Sequence, residues 1–286
     1  MEDIYKKVLN FYKLVRNEII MSKDLYGYEK SKILKIYYKN LLRSPKFYFY
    51  VVENYIQRVF PLIKNLKKGD RVLDMGCGLG TESLLVSFLG GDVEGVDLRE
   101  GRLEIAKKRK NYYKNNFNPK MQIDFNFHNA LNYNGLEKYN FIWANEAISH
   151  IHPLEKFLNN CYKNLSNDGK LFIVDANKLN PYIYYTTKME QKKRGGIINT
   201  MKVRIGGEYK QVPYAVERIF NPNQLSNMMS NLFDVKKIYH LRFFPYFIYE
   251  KFPALSTKFN RQFLRKIPIL RRFSGNYVLE SIKKNL

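Results

Sequence analysis

Apolar and polar positions in the first part of the chain follow a helical spacing. Apolar side chains recur every three to four positions from Ile4 to Val15, as they do on one face of a helix. Two further runs of the same kind cover residues 33–41 and 47–59. We therefore expect three helices, which together form an N-terminal helical cap over residues 1–60.

After this region the spacing changes, and short apolar runs alternate with helical patterns. The predicted strands cover residues 71–74, 93–97, 121–127, 140–144, 170–174, 234–240 and 277–282. Helices are predicted between these strands, among them one that begins at Pro153 and one over 219–233. Such alternation predicts an α/β fold with a parallel sheet, in which ligands bind at the carboxyl ends of the strands.

The stretch VLDMGCGLGT, residues 72–81, joins the first strand of this repeat to its first helix. The glycines at alternate positions after Asp74 allow positive φ angles and a close approach of the backbone to a ligand. Asp97 is expected at the tip of the second strand, where a carboxylate can bind both hydroxyls of a ribose. The acidic Asp74 favours a cationic cofactor over a pyrophosphate, because like charges repel. The sequence therefore predicts a cationic cofactor that contains a nucleoside.

Five motifs resemble those of the class I S-adenosylmethionine-dependent methyltransferases. They are VLDMGCGLGT, VEGVDLRE, FHNALNY, YNFIWANEAISHI and LSNDGKLFIVDAN. The resemblance implies an α/β, Rossmann-like, doubly wound seven-stranded sheet that is mostly parallel, with an antiparallel last strand between strands five and six. It also implies insertions after strands five and six, and S-adenosylmethionine as the cofactor.

The resemblance further implies a set of cofactor contacts. These are Asp74, Gly76, Cys77, Gly78, Asp97, Leu98, Asn129, Ala130 and Asn145. Asp74 would contact the ammonium group of the methionine part, and Asp97 would bind the ribose. Asn129 stands where the family usually has an aspartate, and its amide oxygen can still accept a hydrogen bond from the adenine.

The residues after the fourth strand are candidates for catalysis, because a hydroxyl acceptor would need a base nearby. Glu146 and His150 are the candidate catalytic residues, with His152 as a further candidate, and His150 comes first because it resembles a histidine of family members that act on small molecules. Each can equally be a structural cap or a hydrogen-bond partner of the substrate. The chain has no Asn/Asp-Pro-Pro-aromatic run here, which argues against methylation of amino groups on nucleic-acid bases.

The resemblance assigns residues 61–286 to the methyltransferase domain, with insertions at about 178–218 and 243–274. The N-terminal helices would shape the entrance to the site, where tyrosines such as Tyr26 and Tyr28 either line the entrance or, as the favoured alternative, pack the cap on the core. The second insertion holds nine aromatic residues and seven basic residues against one acidic residue. This composition is compatible with a membrane interface, with nucleic acid, or with a lid whose aromatic rings are core.

The chain is strongly basic, with 49 Lys and Arg against 26 Asp and Glu and a formal net charge of +23. An anionic partner follows as an expectation, either a membrane surface, an acidic saccharide or nucleic acid, with a solvated basic surface as the alternative. The two cysteines and four histidines have no spacing that predicts a metal site or a disulfide framework. No signal peptide or spanning helix is predicted, so we expect a cytoplasmic protein with peripheral contact to the inner membrane face.

These patterns predict an enzyme that transfers a methyl group from S-adenosylmethionine to a small molecule, with a lipid or lipid-linked saccharide as the best interpretation. Two alternatives remain open. One is an RNA methyltransferase, which would bind RNA in a strongly salt-dependent manner. The other is a scaffold that binds the cofactor without catalysis.

Overall fold

The structure, a computed structural model, describes residues 2–205, 208–264 and 266–285. The helices are α1 Glu2–Tyr26, α2 Tyr28–Tyr37, α3 Pro45–Ile63, α4 Thr81–Phe88, α5 Glu100–Asn116, α6 Leu154–Asn164, α7 Pro181–Lys193, α8 Pro222–Met229, α9 Tyr246–Lys251, α10 Pro253–Phe259 and α11 Pro268–Arg271. A 3₁₀ turn, Lys39–Leu42, and a π-helical turn, Asn260–Leu264, complete the helical elements of these ranges. The strands are β1 Arg71–Met75, β2 Asp92–Asp97, β3 Gln122–Phe127, β4 Tyr139–Asn145, β5 Leu165–Ala176, β6 Ile198–Ile205, β7 Glu208–Ala215, β8 Phe233–Leu241 and β9 Asn276–Lys283.

Seven of these strands form one sheet in the order β3-β2-β1-β4-β5-β9-β8. β9 is antiparallel to both of its neighbours, and the other pairs are parallel. This confirms the predicted fold class, including the last strand placed between the two before it. The carboxyl ends of β1, β2, β4, β5 and β8 therefore meet at one edge of the sheet.

Alternation along the strands places apolar side chains on both faces of the sheet. In β1, Val72 belongs to one buried cluster, whereas Leu73 and Met75 belong to the other. The first cluster also contains buried residues of α1 and α3, such as Phe11 and Val51. The N-terminal helices thus cover one face of the sheet and share its core.

Three helices begin where a polar residue precedes a proline. Ser44-Pro45, Asn180-Pro181 and Asn221-Pro222 start α3, α7 and α8, and each polar side chain accepts a hydrogen bond from a backbone N–H three residues later. Proline fits the first helical position because its missing N–H would have no partner in the helix there. Two of these helices, α3 and α7, contribute residues to the cavity described below.

Several boundaries differ from the sequence prediction. Pro153 precedes α6 rather than opening it, and α8 ends at Met229, earlier than the predicted 233. β5 begins at Leu165 because this residue already pairs with Tyr139, before a register shift in the pairing with β4. The expected cap boundary at residue 60 falls inside α3, and the division into domains stays a prediction.

The two long insertions lie outside the seven-stranded sheet. The first contains α7 and the antiparallel hairpin of β6 and β7, and the second contains α9, α10 and α11. The sequence also predicts a hairpin in the first insertion with its turn at Gly206-Gly207, and these two residues lie outside the described ranges. Both insertions follow strands that end at the ligand-binding edge, so they are positioned to cover it.

Candidate active site

A cavity of about 570 Å³ lies at the carboxyl edge of the sheet. Residues at the ends of β1, β2, β4 and β5 form its floor, and the N-terminal helices, the hairpin and the segment after β8 supply its walls. Of the predicted site residues, the cavity is lined by Gly76, Asp97, Leu98, Asn129, Ala130, Asn145, Glu146 and His150. The fold therefore brings together most of the predicted cofactor contacts and both candidate catalytic residues.

The turn after β1 depends on glycine for its path. Gly76 has a φ of 88°, and a Cβ there would lie 2.9 Å from the Cβ of Ala147. Gly80 has a φ of 79°, and a Cβ there would lie 2.5 Å from the ring of Phe125. Side chains at these positions would force the turn away from β4 or from β3, so the glycines keep the backbone close to the cavity floor.

Asp97 ends β2 with its carboxylate already oriented. One oxygen accepts from the backbone N–H of Gly78 at 3.0 Å, and the other accepts from the N–H of Arg99 at 2.8 Å. A carboxylate has about four acceptor sites. Asp97 therefore retains acceptor capacity toward the cavity, as binding of a pair of hydroxyls would require.

The loop after β3 adds a second polar group to the same side of the cavity. The side-chain oxygen of Asn129 accepts from the N–H of Leu131 at 2.9 Å, which forms a small turn. Ala130 lies within this turn and also lines the cavity. The turn fixes the side chain of Asn129, whose role toward an adenine stays a prediction.

Glu146 follows β4 in an ion pair. Its carboxylate accepts from Nη1 of Arg58 at 2.7 Å, and the Arg58 side chain is almost completely buried. The charge of Arg58 lowers the pKa of Glu146. A carboxylate with a lowered pKa is a weaker base, so this pairing disfavours Glu146 in the catalytic role that the sequence suggested.

His150 lies near a carboxylate that comes from the first insertion. Its Nε2 is 3.7 Å from Oε1 of Glu217, and its Nδ1 is 3.4 Å from the carbonyl oxygen of Ala215. The backbone N–H of Ala215 donates to the carbonyl of His150 at 3.0 Å, which holds the two loops together. A nearby carboxylate stabilises the positive charge that an imidazole gains when it accepts a proton.

Asp175, at the end of β5, supports the loop that carries this histidine. Its carboxyl group accepts from the N–H of Ser149 at 3.0 Å and from the N–H of Ala176 at 2.7 Å. Burial raises the pKa of Asp175 to about 7. Since both hydrogen bonds come from backbone groups, the acid fixes the backbone on either side of the cavity floor.

Comparison with known proteins identifies the family. Residues 46–231 match the family described as methyltransferase domain. The chain belongs to the class I S-adenosylmethionine-dependent methyltransferases. It is 31% identical over 115 residues to the mitochondrial ubiquinone biosynthesis O-methyltransferase of Rattus norvegicus. The aligned residues cover 38% of this chain and 32% of the rat protein. It is 30% identical over 125 residues to the ubiquinone biosynthesis O-methyltransferase of Pelagibacter ubique, over 43% of this chain and 47% of that protein.

The chain thus spans about a third to a half of the length of these curated relatives. Among solved structures, it resembles the magnesium protoporphyrin IX methyltransferase of Synechocystis PCC 6803 with bound SAH, with a TM-score of 0.52 and 15% identity over 85% of this chain and 89% of that one. It also resembles the phosphoethanolamine N-methyltransferase 2 of Haemonchus contortus, with a TM-score of 0.53 and 16% identity over 82% and 52% of the two chains. At this level of identity the two structures show that the fold is shared.

The residues of this methyltransferase fit the cofactor of the family. A Cβ at Gly76 would fill the space beside Ala147, so only glycine leaves the backbone accessible there. The carboxylate of Asp97 lies at the tip of β2 and can accept further hydrogen bonds. The side-chain oxygen of Asn145 is buried at the cavity floor without a hydrogen-bond partner. These three features can receive the methionine part, the ribose and a further donor of S-adenosylmethionine.

Asp74, Cys77 and Gly78 are predicted contacts that the described cavity wall does not include. Asp74 is buried and accepts from the hydroxyl of Ser83 at 2.5 Å, and burial raises the pKa of Asp74 to about 8. The contact of Asp74 with the ammonium group of the cofactor stays a prediction. Cys77 is buried as well, and the amide of Gly78 is engaged by Asp97.

Aromatic and apolar side chains from the N-terminal helices and the insertions also line the cavity, together with polar and charged ones. They include Tyr37, Tyr38, Tyr55, Ile183, Met201, Val212, Tyr214 and Tyr246. Tyr26 and Tyr28 do not line the cavity: Tyr26 is buried with its hydroxyl bonded to Glu18, in line with the packing alternative, and Tyr28 is exposed. The chain turns at Gly27, with a φ of 82°, which separates these two residues from the tyrosines at the end of α2.

Arg242 is a cavity residue that the sequence reasoning missed. It follows β8 directly, its φ is 42°, and its guanidinium lies 4.6 Å from the ring centre of Tyr246. Its Nε is buried without a hydrogen-bond partner. A Cβ at Gly275 would lie 3.0 Å from the Arg242 carbonyl oxygen, so the glycine makes room for this conformation. The pattern offered no signal, because Arg242 is one of many basic residues near the second insertion.

No group of three or more His, Cys, Asp or Glu side chains with the arrangement of a metal site occurs within the described ranges.

Proposed function

We propose that this methyltransferase transfers the methyl group of S-adenosylmethionine to a hydroxyl oxygen of a small, lipid-type molecule. The pairing of His150 with Glu217 at the cavity floor is the observation that carries the proposal, because a hydroxyl acceptor must lose its proton and needs a base within reach. The two curated relatives are ubiquinone biosynthesis O-methyltransferases, which supports an oxygen acceptor.

S-adenosylmethionine supplies a methyl group on a positively charged sulfur that leaves as a neutral thioether. The chain's own residues hold the reactants in line and handle the proton. Asp97 would bind the ribose hydroxyls, and the backbone at Gly76 would lie beside the methionine part. When the acceptor oxygen forms its bond to the methyl carbon, its proton passes to Nε2 of His150, and Glu217 stabilises the resulting imidazolium.

The proposed acceptor class follows from the aromatic and apolar part of the cavity lining. Aromatic and apolar side chains such as Tyr55, Ile183 and Val212 favour a molecule with a large apolar part. Arg242, with an unpaired donor, can orient a polar or acidic group of the same molecule. A lipid or a lipid-linked saccharide has both features. Action in the cytoplasm, with peripheral contact to the inner membrane face, belongs to this proposal.

The test uses methyl-labelled S-adenosylmethionine and a cell extract, whose products are separated into organic-soluble, RNA, protein and aqueous fractions. Label in the organic phase supports the proposal. Label in RNA, or no label while the cofactor still binds, contradicts it and favours an RNA methyltransferase or a non-catalytic scaffold.

The role of His150 is tested on the labelled product. His150→Gln should lower kcat by roughly 10²–10⁴-fold with little change in cofactor affinity, since general bases contribute about that much. His152→Gln is the matched control, because His152 also lines the cavity and its Nδ1 lies 3.4 Å from Arg218 rather than near Glu217. Equal losses in both variants would refute the assignment of the base.

A further inference from the structure

A row of large apolar side chains covers the outer side of the second insertion. Phe252, Leu255, Phe259 and Phe263 follow the spacing of one helix face, and each is between 43% and 67% exposed. The rings of Phe259 and Phe263 stack with their centres 5.1 Å apart along this row. Ile269 and Phe273 extend the exposed apolar surface into and beyond α11. We call the outer side of residues 246–273 the apolar face.

The opposite side of the same segment is fixed to the core. Tyr249 is fully buried and stacks on Tyr50 of α3 with the ring centres 3.8 Å apart. Its hydroxyl also accepts from the backbone N–H of Phe243 at 3.2 Å. Because the inner side is packed and hydrogen-bonded, the exposure of the apolar face belongs to the fold itself. An exposed apolar face of this kind marks a binding surface.

The charge around the apolar face is positive. Lys251, Lys258, Lys266 and Arg271 lie in the same segment, and its one acidic residue, Glu250, forms an ion pair with Arg43 of the cap. The basic side chains of the segment therefore have no acidic counterpart within it. A short helix with an apolar row and basic flanks has the composition of one that lies in the plane of an anionic membrane.

The apolar face adjoins the cavity through two contacts. Tyr246, in the first turn of α9, lines the cavity from the same segment. Asn180, which caps α7, donates from its side chain to the carbonyl of Phe273 at 2.8 Å, and Ile183 of α7 lines the cavity as well. A molecule held at the apolar face would thus lie close to the part of the cavity that Tyr246 and Ile183 line.

We infer that the apolar face docks on an anionic lipid surface, with its aromatic and aliphatic side chains at headgroup depth and its basic residues on the lipid charges. No helix within the described residues combines the length and the apolar content needed to cross a bilayer, so the contact would be peripheral. The inference deepens the proposed function, on which it rests for the idea that a lipid-type acceptor enters from this side.

The experiment is co-flotation of the intact chain with vesicles, which requires neither cofactor nor turnover. Vesicles of phosphatidylcholine with phosphatidylglycerol are compared with phosphatidylcholine alone, at low and high salt. We expect binding to the anionic vesicles that weakens with salt. The variant Leu255→Gln/Phe263→Gln should lower the partition coefficient by at least about tenfold, because apolar area no longer leaves water.

Phe117→Gln/Leu136→Gln is the matched control. It removes the same two residue types from exposed positions before β3 and β4, at the opposite edge of the sheet. This control should bind vesicles like the unmodified chain. Calorimetric binding of S-adenosylmethionine should be the same in both double variants, which verifies that they are folded.

Three outcomes would overturn the inference: no binding of the unmodified chain to anionic vesicles, equal losses in the two double variants, or salt-sensitive binding to RNA with none to vesicles. Failure of methyl transfer to any lipid would contradict the proposed function and leave the flotation result standing. Failure of flotation, with label still transferred to the organic-soluble fraction, would contradict this inference and the peripheral membrane contact, and would leave the proposed methyl transfer standing.

Discussion

Replacing Glu18 by glutamine should destabilise the protein and loosen the glycine turn at the same time. Glu18 of α1 and Arg109 of α5 form an ion pair in which both side chains are completely buried. The Glu18 carboxylate accepts from Nε and Nη2 of Arg109 at 2.6 and 2.9 Å and from the hydroxyls of Tyr26 and Tyr113 at 2.9 and 3.0 Å. All of its acceptor capacity is used inside the protein.

The size of the effect follows from what is left behind. Glutamine keeps one oxygen, loses the negative charge and presents an amide N–H₂ to groups that are themselves donors. Arg109 would remain buried without a counter-charge, and removal of one partner of a buried pair costs roughly 3–5 kcal/mol. A typical domain is stable by only about 5–15 kcal/mol. Glu18→Gln should therefore lower the free energy of unfolding by a large fraction of the total.

The pair also supports the site. Nη1 of Arg109 donates to the carbonyl of Leu79 and to the hydroxyl of Thr81, both at 2.7 Å. These residues flank Gly80 at the end of the glycine turn. Without Glu18 the guanidinium is no longer held from the other side, so the turn that receives the cofactor loses one of its fixed points. We expect weaker binding of S-adenosylmethionine along with the loss of stability.

Denaturant unfolding of four proteins measures the effect: the unmodified chain, Glu18→Gln, Arg109→Met and the double variant. The double variant should lose less stability than the sum of the two single variants, because it leaves no unpaired charge. Asp3→Asn is the control, since Asp3 pairs with Lys7 in a fully solvated ion pair and its loss should leave the unfolding curve unchanged. A shift of less than about 1 kcal/mol for Glu18→Gln, or additive single losses, would refute this account of the buried pair.

Three further changes test other parts of the site. Asp97→Ala should weaken calorimetric binding of S-adenosylmethionine at least about tenfold, since two charge-assisted hydrogen bonds are lost. Asp124→Asn, which removes an exposed carboxylate of β3 that is paired with Lys110, should leave binding unchanged. Gly80→Ala should destabilise the fold more than Gly195→Ala in denaturant unfolding. The two glycines have nearly the same φ, +79° and +80°, but only a Cβ at Gly80 would clash, at 2.5 Å from the ring of Phe125. Burial raises the pKa of Asp74 to about 8, so the folded state holds this proton more tightly than the unfolded chain, and the free energy of unfolding should fall from about pH 4 to about pH 8. Asp74→Asn should flatten that part of the profile, and an unchanged slope would refute the assignment.

The cofactor half of the cavity was predictable because its determinants are local. The strand, the glycine turn and the helix between residues 71 and 88 are consecutive, and the positive φ angles at Gly76 and Gly80 are reflected directly in the choice of residue. Asp97 lies at the end of the next strand, one βα unit later. Where a site is built from one such unit, spacing alone places its residues at the same edge of the sheet.

Asp74 shows where this local reasoning stops. The family resemblance implies that its carboxylate contacts the ammonium group of the cofactor, and this stays a prediction. Alternation along β1 puts Asp74 on the same face as Val72, where its carboxyl group accepts from the hydroxyl of Ser83 in α4. The motif identifies the strand correctly, but the direction of a side chain depends on the register of the strand and on the helix packed over it.

The partners of the candidate catalytic residues were not predictable, because they come from distant parts of the chain. Glu146 pairs with Arg58, which precedes it by 88 residues, and His150 lies beside Glu217 of the first insertion. Neither pair has a sequence signature. The preference for His150, which the family resemblance had already suggested, gains a physical reason only from the neighbours that the fold supplies: a neutralising cation for Glu146 and a carboxylate for His150.

The acceptor half of the cavity follows a different building principle. Its walls come from the cap, the hairpin and the segment after β8, and each is attached to the floor by its own contact. The cap is held by the ion pair of Arg58 with Glu146, and the hairpin by the hydrogen bond from the Ala215 N–H to the carbonyl of His150. The segment after β8 is held by the hydrogen bond from the Gly275 N–H to the carbonyl of Arg242. These contacts involve different residues of the floor and do not pass through the glycine turn. A change in the hairpin or in the segment after β8 can therefore alter which acceptor fits while the glycine turn keeps its contacts, whereas the cap also reaches that turn through Glu18 and Arg109. This separation explains why the motifs identify the methyl donor of this chain while the identity of the acceptor depends on the insertions.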